Sequence, residues 1–411
     1  MRSLFASLFR RAPAAELSAW SGAETAPTSG LIRIDYKAPA ASQGATLEAI
    51  VDGRTVLKRP IAAAEGAVEG WFAVHGHLLP NGDTRLTLRL TGSDGGVAER
   101  ALTLKVRNEG ALAAQVAASL KARKAPLAVD GPCDSRHYDY ADPSLKSWFD
   151  RTPAEVEAHL AGLTERGEAT FEEVEVLRVF ADQGYMVLPE AIDPEHLTRL
   201  NAALDDAVEN KVDGYEWGKS QRIHNLHQRY DAVRDLWVHP KVMRMLSLVF
   251  EAPARPCQSL TYVFGSEQEH HQDTIHLTPF PAGRMCGVWT ALEDVQPESG
   301  ELMVFPRSQH LPRVYMADVG VAKVENDEWD EFGRVVTPRW TDMINSAGLA
   351  PEPYRPKAGT VLIWHENLMH AGSPRRDLSK SRRSIVGHYF AGGAIAYYDS
   401  SGQPANLHEE P

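Results

Sequence analysis

His271-Gln272-Asp273 is answered about a hundred residues later by His370, in Trp364-His365-Glu366-Asn367-Leu368-Met369-His370. A His-x-Asp pair with a distant histidine is the ligand set of a non-heme Fe(II) facial triad. In such a triad two imidazoles and one carboxylate hold one face of the metal and leave the other open. Alternate side chains of a strand point the same way, so residues 271 and 273 can reach one metal while Gln272 points away. The third ligand then has to come from another strand or loop folded over the first. Alone, the tripeptide is more often a polar strand edge than a metal site, and its surroundings decide.

Arg382 and Arg383 open the apolar run Ser384-Ile385-Val386-Gly387-His388-Tyr389-Phe390. An iron enzyme of this type that uses 2-oxoglutarate needs a fixed cation for the distal carboxylate. Arginine suits the task because its planar fork donates two parallel hydrogen bonds and stays charged. By itself the Arg-Arg pair reads better as a solvated strand end.

Four stretches in order change that reading. They are Gly265-Ser266-Glu267-Gln268-Glu269-His270-His271-Gln272-Asp273, Val288 to Asp294, Gly300 to His310, and His370-Ala371-Gly372-Ser373-Pro374 through Arg382-Arg383-Ser384-Ile385-Val386-Gly387-His388-Tyr389. Together with Phe180-Ala181-Asp182-Gln183-Gly184-Tyr185, they resemble the phytanoyl-CoA dioxygenase family over roughly residues 175 to 395. The resemblance implies that His271, Asp273 and His370 hold Fe(II), that 2-oxoglutarate is the co-substrate and that O2 is consumed. It implies that Arg382 holds the 2-oxoglutarate carboxylate. The His-to-Arg interval is one residue longer than the family's, which keeps Arg383 open as well; Arg382 is preferred because it shares a face with Ser384 and Val386. Trp289 matches a tryptophan lining the co-substrate pocket, with a core tryptophan as the alternative. Ser373 matches a hydroxyl residue able to reach the same carboxylate, or else is a turn serine before Pro374. Gln258, Tyr262 and Gln268 lie on the approach to the site. Relatives that halogenate carry a small residue at the carboxylate position, so Asp273 implies hydroxylation or another oxidation of an aliphatic C–H bond.

Composition bounds the rest. At 411 residues the chain is too long for one ordinary domain. Hydrophobic content of 43% with 24% charged residues describes a soluble globular protein, and a net charge of −12 argues against nucleic acid as partner. Cys133, Cys257 and Cys286 show neither metal-type spacing nor an even disulfide set, so a reducing cytoplasm fits. Residues 1–11 place Leu4, Phe5, Leu8 and Phe9 on one helical face, too short an apolar stretch for a membrane span. A frayed or packed terminal helix is favoured over weak contact with an acidic membrane surface. Sequence says nothing of the oligomeric state.

Residues 30–108, after an N-terminal segment 1–29, read as a small Ig-like β-sandwich. Leu31 to Tyr36, Ala45 to Val51, Arg85 to Leu90 and Leu102 to Val106 alternate with period two, with turn signals at Asp52-Gly53, Asn81-Gly82 and Asp94-Gly95-Gly96. Trp71, Phe72 and His75 form either a carbohydrate-stacking patch or, as preferred, part of the core. Residues 109–170 read as a helical linker region, and 171–411 as the dioxygenase domain. Helices are expected near 153–166, 169–183, 193–210 and 239–250. Residues 311 to 358 read as a long loop carrying Trp329, Phe332, Trp340 and Tyr354, a candidate lid or substrate wall. The expected fold is mainly β with α: a double-stranded β-helix (jelly roll) with packing helices, preceded by the sandwich. The expected function is an Fe(II)- and 2-oxoglutarate-dependent dioxygenase hydroxylating a small metabolite or a glycan or lipid precursor. The alternative is a catalytically silent jelly-roll scaffold with a carbohydrate-recognising β domain.

Overall fold

A computed structural model describes residues 17–39, 44–62 and 66–408, and divides into two units. One holds the described residues up to Asn108 together with Pro126–Gly131; the other holds Glu109–Ala125 and the described residues from Pro132 onward. The amphipathic segment 1–11 lies outside the described residues. No described helix is long and apolar enough to cross a membrane.

The first unit pairs two four-stranded antiparallel sheets. One runs Ser18–Trp20, Leu31–Ala38, Val68–His75, Ala128–Val129; the other Arg54–Pro60, Thr46–Val51, Gly82–Thr91, Val97–Val106. The period-two pattern explains the packing. Leu47, Ala49 and Val51 turn inward, as do Leu86, Leu88 and Leu90, while their neighbours face out. At Asp52-Gly53 both residues have positive φ (48° and 75°), the tight hairpin geometry whose twist matches the strands. Phe72 is in the core and His75 is buried, whereas Trp71 is half-buried with the Arg33 guanidinium 5.0 Å from its ring centroid. These side chains therefore form no shared exposed patch, and Phe72 rather than Trp71 takes the core position.

The second unit is a jelly roll. Its large sheet orders Ile223–His224, Ala254–Tyr262, Ser384–Ala391, Met285–Ala291, Val361–His365 and Tyr185–Leu188, all antiparallel. Leu302–Val304, flanked by Glu352–Tyr354 and His370–Gly372, forms a smaller sheet. Leu260, Trp289, Leu362 and Val386 from the large sheet pack with Leu302 and Val304. The opposite face, with Val288, Ile385 and Tyr389, lies under Asp231–Trp237, and Tyr389 Oη donates to the Trp237 carbonyl at 2.8 Å.

Helices form at Pro153–Glu165, Phe171–Gln183, Pro194–Glu209 and Pro240–Phe250. Asp193 caps the third, its Oδ1 accepting from the His196 N–H at 2.8 Å. Apart from 126–131, the stretch 109–170 groups with the second unit, where Trp148 is buried and its Nε1 donates to the Val249 carbonyl at 3.0 Å. One sequence expectation changes. The expected loop 311–358 contains an eighteen-residue helix, Asp330–Ala347, whose Phe332, Val336, Trp340, Met343 and Ile344 make one buried stripe. Pro338 inside it obscured the periodicity.

Candidate metal centre

The site is built on one backbone pairing. His271 and His370 face each other as an antiparallel bridge, the His271 N–H donating to the His370 carbonyl at 3.0 Å and the reverse bond at 3.2 Å. This sets the imidazoles side by side, ring centroids 4.2 Å apart. Each Nδ1 lies against the carbonyl two residues upstream: 2.8 Å to Glu269 for His271 and 3.0 Å to Leu368 for His370. A carbonyl can only accept, so each Nδ1 carries the proton and each Nε2 presents its lone pair inward. Asp273 Oδ1 stands 3.7 Å from His271 Nε2 and 3.8 Å from His370 Nε2, and ligand atoms of the three residues lie within 4.8 Å of one another.

The segment is not a regular strand through the ligands. Gln272 is extended (φ −101°, ψ 135°), but Asp273 already opens a 3-10 turn over Asp273–Ile275. One extended residue is enough to put 271 and 273 on the same side. Gln272 points away, accepting from Trp340 Nε1 at 3.0 Å and donating to the Pro312 carbonyl at 3.1 Å.

Asp273 is buried, and its second oxygen accepts from Trp364 Nε1 at 2.8 Å with His388 Nε2 3.8 Å away. Burial pushes its carboxyl pKa up, but His370, His388, His271 and the indole N–H outweigh that and hold it below the ordinary value. Burial, helped by His370, drives His271 well below the usual imidazole range, so its imidazole is neutral. Trp364 reaches Asp273 because it lies across Gly287, its cross-strand partner. A Cβ at Gly287 would come 2.1 Å from the indole.

The loop that delivers His370 is held by its own polar residues. Glu366, fully buried, accepts from Gly283 N at 2.7 Å, Met285 N at 3.3 Å and Arg313 Nε at 3.0 Å. Arg313 continues to Asp150 Oδ2 at 2.8 Å, and Asp150 Oδ1 lies 3.3 Å from His365 Nε2. Burial opposes ionisation of Asp150, yet Arg313 and His365 together hold its carboxyl far below the usual range. Asn367 donates from its side chain to the carbonyls of Gln309 at 3.0 Å and Leu311 at 2.6 Å.

The three ligand residues line a cavity of about 640 Å³. Arg382 also lines it, 3% exposed, its guanidinium 5.6 Å from the Tyr262 ring centroid and 5.5 Å from that of Trp289. Among the described residues its Nε has no hydrogen-bond partner, and neither do Trp289 Nε1 and Ser384 Oγ. Burial brings its pKa down to about 10, with Tyr262 pulling the other way, so it remains a cation. Arg383 turns outward to Asp205 at 2.8 Å and Asn201 at 3.2 Å. Gln258, Tyr262 and Gln268 line the cavity, whereas Ser373 lies outside its lining and donates to Glu301 Oε2 at 3.1 Å. The turn before Pro374 aims that hydroxyl at the neighbouring strand, so the co-substrate role implied for Ser373 does not hold.

The donor set fits iron: two imidazole nitrogens and one carboxylate, with nothing among the described residues within hydrogen-bond distance of either Nε2. The buried guanidinium with an unsatisfied donor fits a carboxylate ligand. Sequence reasoning missed Arg222, His276, His388 and Asp150. His388 was within reach, since it shares the strand parity of Arg382 and Val386. Asp150 carries no local signal, because its partners Arg313 and His365 are distant in sequence.

Residues 180–384 match the family model for phytanoyl-CoA dioxygenase. The phytanoyl-CoA dioxygenase domain-containing protein 1 of Mus musculus is 36% identical over 171 residues, covering 40% of this chain and 55% of that protein. Its Danio rerio counterpart is 26% identical over 204 residues, covering 49% and 60%. The match thus spans little more than half the length of these relatives. Among solved structures, the non-heme alpha ketoglutarate dependent carbocyclase SnoK from nogalamycin biosynthesis superposes with a TM-score of 0.45 at 20% identity, over 58% of this chain and 93% of that one. EctD from S. alaskensis with bound Fe gives 0.42 at 18% identity, over 54% and 77%.

Proposed function

We propose that the chain, whose residues 180–384 match the phytanoyl-CoA dioxygenase family model, is an Fe(II)- and 2-oxoglutarate-dependent dioxygenase that hydroxylates an aliphatic C–H bond of a small molecule. The observation that carries this reading is that the inward-facing His271, Asp273 and His370 share one cavity with Arg382, a buried cation with no ion-pair partner among the described residues.

Fe(II) with 2-oxoglutarate supplies O2 activation coupled to loss of CO2 and formation of succinate. The residues of the chain do the positioning. His271 and His370 offer Nε2 because their Nδ1 protons are committed to backbone carbonyls. Asp273 stays ionised and is aimed by Trp364, and its presence where halogenating relatives have a small residue favours hydroxylation over halogenation. Arg382 would hold the distal carboxylate, with Trp289 as a wall. Catalysis is assigned to the second unit, and the sandwich to an accessory role.

Anaerobic titration with Fe(II) and then 2-oxoglutarate tests the reading. The wild type should develop the visible charge-transfer band of the chelate, and Asp273→Ala should lose it while its melting curve is retained. An equal band in Asp273→Ala would remove the ligand assignment. Iron binding without a band would remove Arg382 as the clamp.

A further inference from the structure

The cavity holds a second arginine that the proposed chemistry leaves unused. Arg222 precedes the edge strand Ile223–His224 and lines the cavity, its guanidinium 5.7 Å from the centroid of the same Tyr262 ring that Arg382 approaches. Its hydrogen bonds run to the Gln221 side-chain oxygen, a neutral acceptor 3.1 Å from Nε. Among the described residues no carboxylate stands within ion-pair distance of it.

Glu269 and Asp327 also line the cavity, but both are exposed, where water screens them, while Arg222 is half-buried. The cavity has an aromatic wall as well. Trp329, Phe332 and Trp340 surround His276 with ring centroids 5.6, 5.2 and 6.4 Å from it. Such a box suits a cation when empty. Here a neutral imidazole already fills it, so the wall offers apolar surface instead.

We propose that Arg222 selects the substrate and that the substrate is an organic anion, its carboxylate or phosphate on Arg222 and its apolar body against Trp329, Phe332 and Trp340. A guanidinium without a counter-charge gains most from an incoming anion, because charge-assisted bonds are about twice as strong as neutral ones. Arg382 already supplies the fork for 2-oxoglutarate, which leaves Arg222 for the second ligand. The inference rests on the oxygenase reading for what happens to the substrate, but not for how it binds.

The test uses the full chain without metal. Its tryptophan fluorescence is titrated with decanoate, decyl phosphate and decanamide, which share an apolar tail and differ in the head group. At least one anion should bind about tenfold or more tighter than the amide, the usual advantage of a hydrogen bond to a charged group. Comparing the two anions tells carboxylate from phosphate. Arg222→Gln should bring the anion down to the level of the amide, and Arg222→Lys should recover part of the preference. Equal binding of all three by the wild type overturns the proposal, as does a preference that survives in Arg222→Gln. In the Fe(II) titration, Arg222→Gln should keep the wild-type 2-oxoglutarate requirement; a raised requirement would assign Arg222 to the co-substrate and overturn the proposal. Absence of the chelate band in the wild type would instead fail the oxygenase reading, leaving the fluorescence result to stand by itself.

Discussion

The two units solve the same packing problem and use the result differently. Both are antiparallel sandwiches of strands that alternate inward and outward side chains. Among the described residues of the first, no Asp, Glu, Lys or Arg is buried, and the space between the sheets is filled by side chains such as Leu47, Phe72 and Leu88. In the second, Asp273, Arg382 and His388 lie inside at 4%, 3% and 4% exposure. Hydrocarbon in such a position adds stability, whereas an ionised group there costs several kcal/mol unless it is paired. A sandwich interior that keeps such groups has given up stability for a ligand that completes them.

The contrast can be broken most forcefully by moving a carboxylate across it. Leu88→Asp in the first unit should unfold that unit, since Leu88 is fully buried in its core, while Asp273 is tolerated in the second; circular dichroism with limited proteolysis reads the outcome. A stable Leu88→Asp sandwich would show that its interior is not dry. Within the second unit, Arg382→Ala should raise the 2-oxoglutarate requirement by about a hundredfold, the loss of a bidentate charged bond worth roughly 3 kcal/mol. Arg383→Ala should change it by no more than a few-fold, because its partners Asp205 and Asn201 lie outside the cavity lining. The reverse order would exchange their roles.

Acidification sharpens the comparison further. His388, and His227 stacked on Trp237, titrate at about 4, mainly through burial. In the unfolded chain each returns to about 6.5. Between these values the unfolded state binds more protons, so stability present above pH 6.5 is lost as pH falls toward 4. At pH 5 the loss should be roughly 2 kcal/mol per histidine, read as a lower melting temperature of the metal-free catalytic unit. His388→Asn should remove part of that slope. An effect smaller than that of Arg382→Ala is expected at Gly287. Gly287→Ala must displace Trp364 and loosen its bond to Asp273, weakening Fe(II) binding by about tenfold with the triad itself intact.

Much of the fold was legible because its signals are local. Period-two alternation marks the strands of the first unit, an apolar run marks Ser384–Ala391, and cap residues such as Asp193 mark helix starts. The helix Asp330–Ala347 was illegible because Pro338 interrupts a pattern that tertiary burial of Phe332, Val336 and Trp340 nonetheless stabilises. Within the site, the ligand motif stood out by residue type and spacing. Ser373 misled because its type suits both a turn and a carboxylate contact, and only the position of Glu301 separates the two.

The sequence by itself determined which side chains can bind a metal, which strands carry an apolar face, and that a cation follows the last ligand by a short interval. These are properties of residue type and separation along the chain. The tertiary structure alone decided that Arg382 enters the cavity while Arg383 meets Asp205, that Trp364 crosses Gly287 to aim Asp273, and that Arg222 faces the same space. Each depends on register between strands distant in sequence. A one-residue shift in that register reverses every side chain of a strand.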